Sequence, residues 1–89
     1  ETVAGVYAVK CFLEGKQYNG IANMGIRPTV DGSKPVLEIH IFNFNENIYG
    51  QRLTLEFINK LREEKKFDNI DLLKEQILQD ISKAKKILE

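Results

Sequence analysis

The segment PVLEIHIF, residues 35–42, places two groups capable of acid–base chemistry on the same side of a predicted strand. Read with a period of two, Leu37, Ile39 and Ile41 point to one face. The other face carries Glu38 and His40 between the apolar Val36 and Phe42. A strand is a rigid platform, so a carboxylate on it can be aimed as a general base. The simpler alternatives are a solvated Glu38 paired with a lysine across the sheet and a half-buried His40 with a satisfied ring.

Two arginines in polar segments are further candidates for ligand binding. The segment NMGIRPT, which starts at Asn23, contains Gly25, which lets a ligand approach the backbone, and Arg27, whose guanidinium fits phosphate or carboxylate. The segment LREEKKFDN contains Arg62 ahead of a charged run. Either segment could instead be an ordinary solvated connection, and Asn23 could be a turn residue or a ligand contact.

Common catalytic and metal-binding signatures are absent from the 89 residues. The sequence has no G-x-x-x-x-G-K-[ST], no H-E-x-x-H and no cysteine pair. The single cysteine, Cys11, lies in an apolar run, where packing is a commoner role than reactivity. Thirteen basic and thirteen acidic residues cancel, which argues against a nucleic-acid or membrane partner. Without a leader or an apolar span, we expect a cytoplasmic protein.

One domain, residues 1–89, is expected to carry these groups on four strands and one helix. The strands are predicted at about 5–13, 17–24, 36–43 and 52–58, with a loop at 25–35 and a helix at about 69–88. Asp68 or Asn69 is the predicted helix N-cap. Short connections without intervening helices favour a small antiparallel β-barrel, closed or nearly closed.

Six segments of the chain occur together, in this order, in a known family. They are GVYAV, YNGIANMGIRPT, LEIHIFNF, IYGQRL, FINKLREEKKFD and the closing helix. In these segments the chain resembles the riboflavin kinase family, and more narrowly the C-terminal kinase module of the bacterial bifunctional riboflavin kinase/FAD synthetases. The resemblance implies a mostly β fold: a Greek-key β-barrel with one C-terminal helix. It also implies ATP- and magnesium-dependent phosphorylation of the riboflavin ribityl 5′-hydroxyl to give FMN.

The resemblance also implies roles for individual residues. Glu38 corresponds to the proposed catalytic base of the family, in its E-x-H strand. In the family, the loop that follows the last barrel strand helps to close over the flavin. The candidate flavin-binding residues are therefore Arg62, Glu63 and Glu64. The candidate nucleotide-binding residues are Asn23, Gly25, Phe44 and Tyr49.

The chain departs from the family at its start. The glycine-rich flap and the P-T-A-N segment of the family, which contacts the nucleotide phosphates and magnesium, are absent, and RPTV at 27–30 does not replace them. We therefore expect the magnesium ligands, at least one barrel strand and an FMN adenylyltransferase domain upstream of residue 1, and no metal ligand in the chain itself. The expected partners are riboflavin and ATP, and the 89 residues alone are expected to be inactive.

Two functions of other classes stay open on the sequence. One is a small OB-like β-barrel that binds nucleic acid or a protein partner, with aromatic residues such as Tyr18 and Phe42 stacking on bases. The other is an interaction domain whose helix docks elsewhere. Flavin binding by the intact protein, with and without ATP and magnesium, separates the kinase from both.

Overall fold

The computed structural model describes residues 4–46 and 50–89, which form one antiparallel sheet and one helix. The elements are β1 (Gly5–Leu13), β2 (Lys16–Thr29), β3 (Gly32–Ile41), β4 (Leu53–Arg62) and α1 (Ile70–Leu88). The strand order across the sheet is β3-β2-β1-β4. Because β4 returns to lie beside β1, the order is that of a Greek key, as the resemblance implies.

The sheet is open, so the prediction of a closed or nearly closed barrel is wrong for the described residues. Strands β3 and β4 form the two edges, and no pairing joins them in the described part of the chain. The circumference of a barrel is set by its strand number, and these four strands leave the edges apart. One face of the sheet packs against α1, and the other carries apolar side chains that are only partly covered.

The predicted loop at 25–35 is the far end of a long β2–β3 hairpin. Strand β2 continues to Thr29 and β3 begins at Gly32, with the turn between them. Pro28 and Pro35 argued for a loop in the sequence, but both lie where β2 and β3 pair only with each other. An edge position tolerates proline because it has no second neighbour that needs its backbone N–H.

Strand β4 is also longer than predicted, and this extension sets the position of Arg62. It continues four residues past the predicted end at 58 and pairs with β1 through two register shifts. The ladder ends with Arg62 opposite Val6. As a result, Arg62 lies on a strand instead of in a solvated connection.

The helix begins where the sequence predicts. Asn69 is its N-cap, and its Oδ1 accepts a hydrogen bond from the Leu72 backbone N–H at 2.9 Å. Only the C-terminal half of α1 packs closely on the sheet: Ala84 is fully buried, whereas Ile70 and Ile77 are exposed. No helix of the described residues is long and apolar enough to cross a membrane.

The opposite face of the sheet has its own small core. Val9, Cys11 and Ala22 are fully buried there, beneath partly buried side chains such as Tyr7. The predicted packing role of Cys11 is therefore confirmed. Desolvation by burial raises the pKa of its thiol, which keeps the group protonated and unreactive at neutral pH.

Candidate active site

A row of four side chains crosses all four strands on the face that α1 covers. The strand register places Glu38 of β3 beside Asn23 of β2, Asn23 beside Val6 of β1, and Val6 beside Arg62 of β4. Residues paired across neighbouring strands point to the same face. Since strands lie about 4.8 Å apart, the two ends of this cross-sheet row are separated by roughly 14 Å at the backbone.

A cavity of about 320 Å³ lies over the cross-sheet row. All four residues of the row line it, and its other walls include His40 of β3, Phe67 of the β4–α1 connection, and Leu73, Ile77 and Asp80 of α1. The cavity exists because the N-terminal half of α1 does not pack tightly on the sheet. Its volume is at the lower end of the range for small-molecule sites.

Glu38 lies at the rim of this cavity. Its Oε1 accepts a hydrogen bond from Arg27 Nη2 at 3.0 Å, and the two side chains are 60% and 49% exposed, respectively. The alternative of a solvated Glu38 paired with a lysine across the sheet is therefore wrong about the partner, which is Arg27. An ion pair so exposed contributes at most about 1 kcal/mol, so Glu38 can exchange Arg27 for a ligand hydroxyl at little cost. His40 lines the same cavity and is exposed, not half-buried.

Asn23 presents an unsatisfied oxygen beside Glu38. Its Oδ1 is buried and has no hydrogen-bond partner in the described part of the chain. A buried acceptor without a partner costs about 1–3 kcal/mol. The described residues therefore supply no hydrogen-bond donor to this oxygen, although Asn23 itself lines the cavity.

Arg62 is held at the other end of the row by a buried carboxylate. Its Nε donates to both oxygens of Asp80 at 2.9 and 3.1 Å, and its Nη2 donates to Asp80 Oδ2 at 2.8 Å. Gln76 also donates to Asp80, and the guanidinium lies 5.8 Å from the centre of the Phe67 ring. Asp80 is only 3% exposed. Arg62 Nη1 also donates to the Glu63 backbone oxygen at 3.0 Å. Together these contacts fix the direction of Arg62 and use only part of its five N–H donors.

Sequence reasoning missed Asp80 and Gln76. The available signal was an acid directly before Ile81 of the apolar helix stripe, where a charged side chain needs a partner when the stripe is buried. The sequence alone did not pair that acid with an arginine 18 positions earlier.

Three other predicted site residues lie away from the cavity lining. Glu63 is 81% exposed and pairs with Lys60 at 2.8 Å, a hydrogen bond that raises the pKa of Lys60. Glu64 extends over Gly25, where an added Cβ would lie 2.6 Å from Glu64 Oε1. Gly25 is therefore a point of close approach, but the group that approaches it is a side chain of the same molecule.

Phe44 belongs to a different part of the surface. Phe44 packs edge-to-face on Tyr18 with ring centres 5.0 Å apart, beside a second groove that Tyr18 and Lys85 help to line. Tyr49 lies outside the described residues.

The described residues do not fit a magnesium site. No group of three or more His, Cys, Asp or Glu side chains within residues 4–46 and 50–89 is arranged to hold a metal ion.

Comparison with known proteins assigns this arrangement to a family. The family described as riboflavin kinase matches residues 2–88, almost the whole chain. The chain belongs to the riboflavin kinase family. This confirms the resemblance seen in the sequence, and the matched riboflavin kinase module corresponds to the C-terminal portion of the bifunctional enzymes.

This riboflavin kinase domain has close relatives of known name. It is 51% identical over 84 residues to the bifunctional riboflavin kinase/FMN adenylyltransferase of Haemophilus influenzae, covering 93% of the chain and 27% of that protein. It is 40% identical over 83 residues to the Bacillus subtilis bifunctional enzyme, covering 90% and 26%. It is also 37% identical over 86 residues to the RNA-binding riboflavin kinase RibR of Bacillus subtilis, covering 96% and 37%. The domain thus spans about a quarter of the bifunctional relatives.

The fold of this riboflavin kinase domain is also similar to a solved structure. The crystal structure of a macrolide-efflux protein from Streptococcus pneumoniae matches with a TM-score of 0.87 and 31% sequence identity. The match covers 93% of this chain and 27% of that one. A fold similar to that of this domain therefore occurs as part of a longer solved chain.

Proposed function

We propose that the chain is the flavin-phosphorylating part of a longer enzyme. The reaction transfers the γ-phosphoryl group of ATP to the ribityl 5′-hydroxyl of riboflavin and yields FMN and ADP. Family membership supports the reaction class. The observation that supports its location is the cavity over the cross-sheet row, with the Glu38 carboxylate at its rim and the Arg62 guanidinium at its other end.

Glu38 is the catalytic base in this proposal. Its carboxylate exchanges the Arg27 contact for the ribityl hydroxyl, orients that hydroxyl, and accepts its proton as the phosphorus–oxygen bond forms. The leaving ADP takes the electron pair of the bond that breaks. Phosphoryl transfer depends mainly on positioning and on charge neutralisation, so the base supplies only part of the catalysis.

The flavin ring lies toward the Arg62 end of the row in this arrangement. Phe67 and Ile77 offer apolar surface there, and Arg62 keeps donors free beside them. Glu64 remains a candidate on the flavin side, where it would leave Gly25 when ligand enters. Glu63 points into solvent next to Lys60, so it is the least supported of the three candidate flavin-binding residues.

The proposed nucleotide position is on the outer side of Glu38. ATP must approach Glu38 from outside the cavity, where Arg27 offers a cation and Gly25 offers a side-chain-free position once Glu64 has moved away from it. Phe44 and Tyr49 stay predictions for this side. The use of ATP with magnesium is drawn from the family, and the metal ligands are assigned to residues outside this chain.

The experiment that tests the proposal is the replacement Glu38→Gln in the intact protein. Loss of the base should lower kcat by about 10²- to 10⁴-fold while the riboflavin Kd stays within threefold, because the amide keeps the size of the side chain. Glu56→Gln, which changes an exposed carboxylate on β4, is the matched control and should retain wild-type kcat. A wild-type kcat in Glu38→Gln would overturn the assignment.

The rest of the enzyme is also part of the proposal. FMN adenylyltransferase activity is expected in the part of the enzyme outside this chain, by similarity to the bifunctional relatives. We expect a cytoplasmic enzyme, and little or no phosphoryl transfer by the 89 residues alone. Robust turnover by the isolated chain would contradict the second expectation.

A nucleic-acid-binding module is the second candidate. The observation in its favour is the similarity to RibR, whose name describes an RNA-binding riboflavin kinase, although the chain covers only 37% of that protein. The net charge of zero counts against it, since RNA binding draws on basic surface. Fluorescence anisotropy with a labelled single-stranded RNA tests it: salt-sensitive binding would favour RNA, and its absence alongside riboflavin binding would favour the kinase.

A further inference from the structure

Asn23 is the residue of the cross-sheet row whose chemistry the proposed mechanism leaves unused. It lies directly opposite Glu38 in the β2–β3 ladder, on the same face and in the same cavity wall. Its Oδ1 is buried without a partner in the described residues. The oxygen can only accept a hydrogen bond, so the missing partner is an N–H or O–H group.

The position of Asn23 narrows the choice of donor. Along the row it is one strand spacing, about 4.8 Å, from Glu38, and it lies between Glu38 and the apolar Val6. With the flavin ring at the Arg62 end, as proposed above, a ligand whose terminal hydroxyl reaches Glu38 places the adjoining part of its chain over Asn23. In riboflavin that part is a polyol, whose remaining hydroxyls are O–H donors.

We infer that the Asn23 amide turns toward the cavity when ligand binds, so that its Oδ1, which is shielded in the free protein, accepts a hydrogen bond from a second ribityl hydroxyl. Asn23 would thereby select flavins that carry a polyol chain. The inference rests on the proposed function and moves Asn23 from the nucleotide side to the flavin side of the site. It also explains why the free protein keeps a buried acceptor without a partner. The polar group is costly when the cavity is empty and is satisfied when the polyol binds.

The test replaces Asn23 with leucine, which has a similar size but no acceptor, in the intact protein. Affinities are measured by the quenching of flavin fluorescence for riboflavin and for lumiflavin, which has the same ring system without hydroxyls on its side chain. Asn23→Leu should weaken riboflavin binding by about tenfold and leave lumiflavin binding within twofold of wild type. Asn19→Leu, the same change on the same face of β2 but outside the cavity lining, should alter neither affinity.

A second readout follows from the cost of the unsatisfied oxygen. In the wild-type protein, riboflavin identifies the relevant unfolding transition, because it shifts the melting temperature of that transition. Without ligand, Asn23→Leu should raise this melting temperature by about 4–8 °C. A residue that served only the fold would lower it. If Asn23→Leu does not fold, Asn23→Ala supplies the affinity comparison without added bulk.

The outcomes distinguish this inference from the proposed function. A wild-type protein that binds no riboflavin would overturn the proposed function itself. Wild-type binding of riboflavin together with unchanged or equally weakened binding of both flavins in the Asn23 variants would overturn the inference alone. A selective loss of riboflavin affinity supports it.

Discussion

Removing the buried carboxylate of Asp80 is the most informative perturbation of this domain. The carboxylate receives three hydrogen-bond contacts from Arg62 and one from Gln76. In Asp80→Ala, the guanidinium would keep its charge at the inner end of the cavity and lose its partner. Both the stability of the fold and the placement of Arg62 should suffer.

The magnitude follows from the burial of the pair. The side chain of Asp80 is 4% exposed and that of Arg62 is 20% exposed. Deleting one partner of a fully buried ion pair costs about 3–5 kcal/mol, whereas an exposed pair contributes about 0–1 kcal/mol. Because Arg62 keeps a fifth of its surface in water, we expect Asp80→Ala to lower the free energy of unfolding by about 2–4 kcal/mol. For a domain of this size, that corresponds to a melting temperature lower by roughly 10 °C or more.

The assay is urea denaturation of the intact protein with a cycle of apolar replacements. Arg62→Met and Asp80→Leu are measured singly and together, with riboflavin affinity determined on each variant. The double variant should recover most of the lost stability, because an apolar pair leaves no buried charge without a partner. It should not recover riboflavin affinity, because the guanidinium at the end of the cavity proposed to hold the flavin ring is gone.

Two results would refute this reasoning. One is a loss below about 1 kcal/mol in Asp80→Ala, the value expected for an exposed pair. The other is a double variant no more stable than the worse single variant. Asp71→Ala, which removes an exposed acid from the first turn of the same helix, is the control and should cost no more than about 1 kcal/mol.

Three further predictions concern the scaffold. Gly20→Ala should cost about 1–3 kcal/mol in urea denaturation because its Cβ meets a backbone carbonyl of β3, whereas Gly25→Ala should cost less than about 1 kcal/mol because it meets the movable end of a glutamate. Asn69→Ala should lower the free energy of unfolding by about 1 kcal/mol through loss of the helix cap. Burial raises the pKa of the Cys11 thiol above its ordinary value of 9.0. The stability that the buried, protonated thiol contributes is therefore full below pH 9 and should be lost as the pH rises further. Cys11→Ala should remove this pH dependence from the free energy of unfolding.

Each of these has a contrary outcome. Equal costs at Gly20 and Gly25 would show that the two contacts are equally adaptable. A melting curve of Asn69→Ala identical to wild type would show that water caps the helix as well as the side chain does. Alkylation of Cys11 at pH 8 as fast in the native protein as in urea would show that the thiol is not protected by burial.

The elements of this protein were predictable because their signals are local. Alternation of apolar and polar residues identified β3 and β4, and apolar segments on either side of a glycine turn identified β1 and β2. The change to steps of three and four identified the helix, and a polar residue before it identified the cap. The placement of Glu38 and His40 on one face also needed only the period of a strand, and the structure has both in the wall of one cavity. The six segments that resemble riboflavin kinases made the family predictable as well.

Strand ends and edges were less predictable, because they depend on neighbours. The sequence from Gly25 to Pro35 contains the residues that usually end strands, yet it pairs as a hairpin where only one neighbour is present. The barrel was a plausible closure for short antiparallel strands, but whether the two edges meet depends on the number of strands and on their twist.

The amino-acid sequence determined which residues can do chemistry and which strand or helix carries them, because composition and periodicity act over a few residues. Only the tertiary structure decided which of these residues lie next to one another. Strand register brought Glu38, Asn23 and Arg62 into one row, and the packing of α1 placed Asp80 against Arg62 and left a cavity above Asn23. Register and helix packing are properties of contacts between distant segments, which no local pattern encodes.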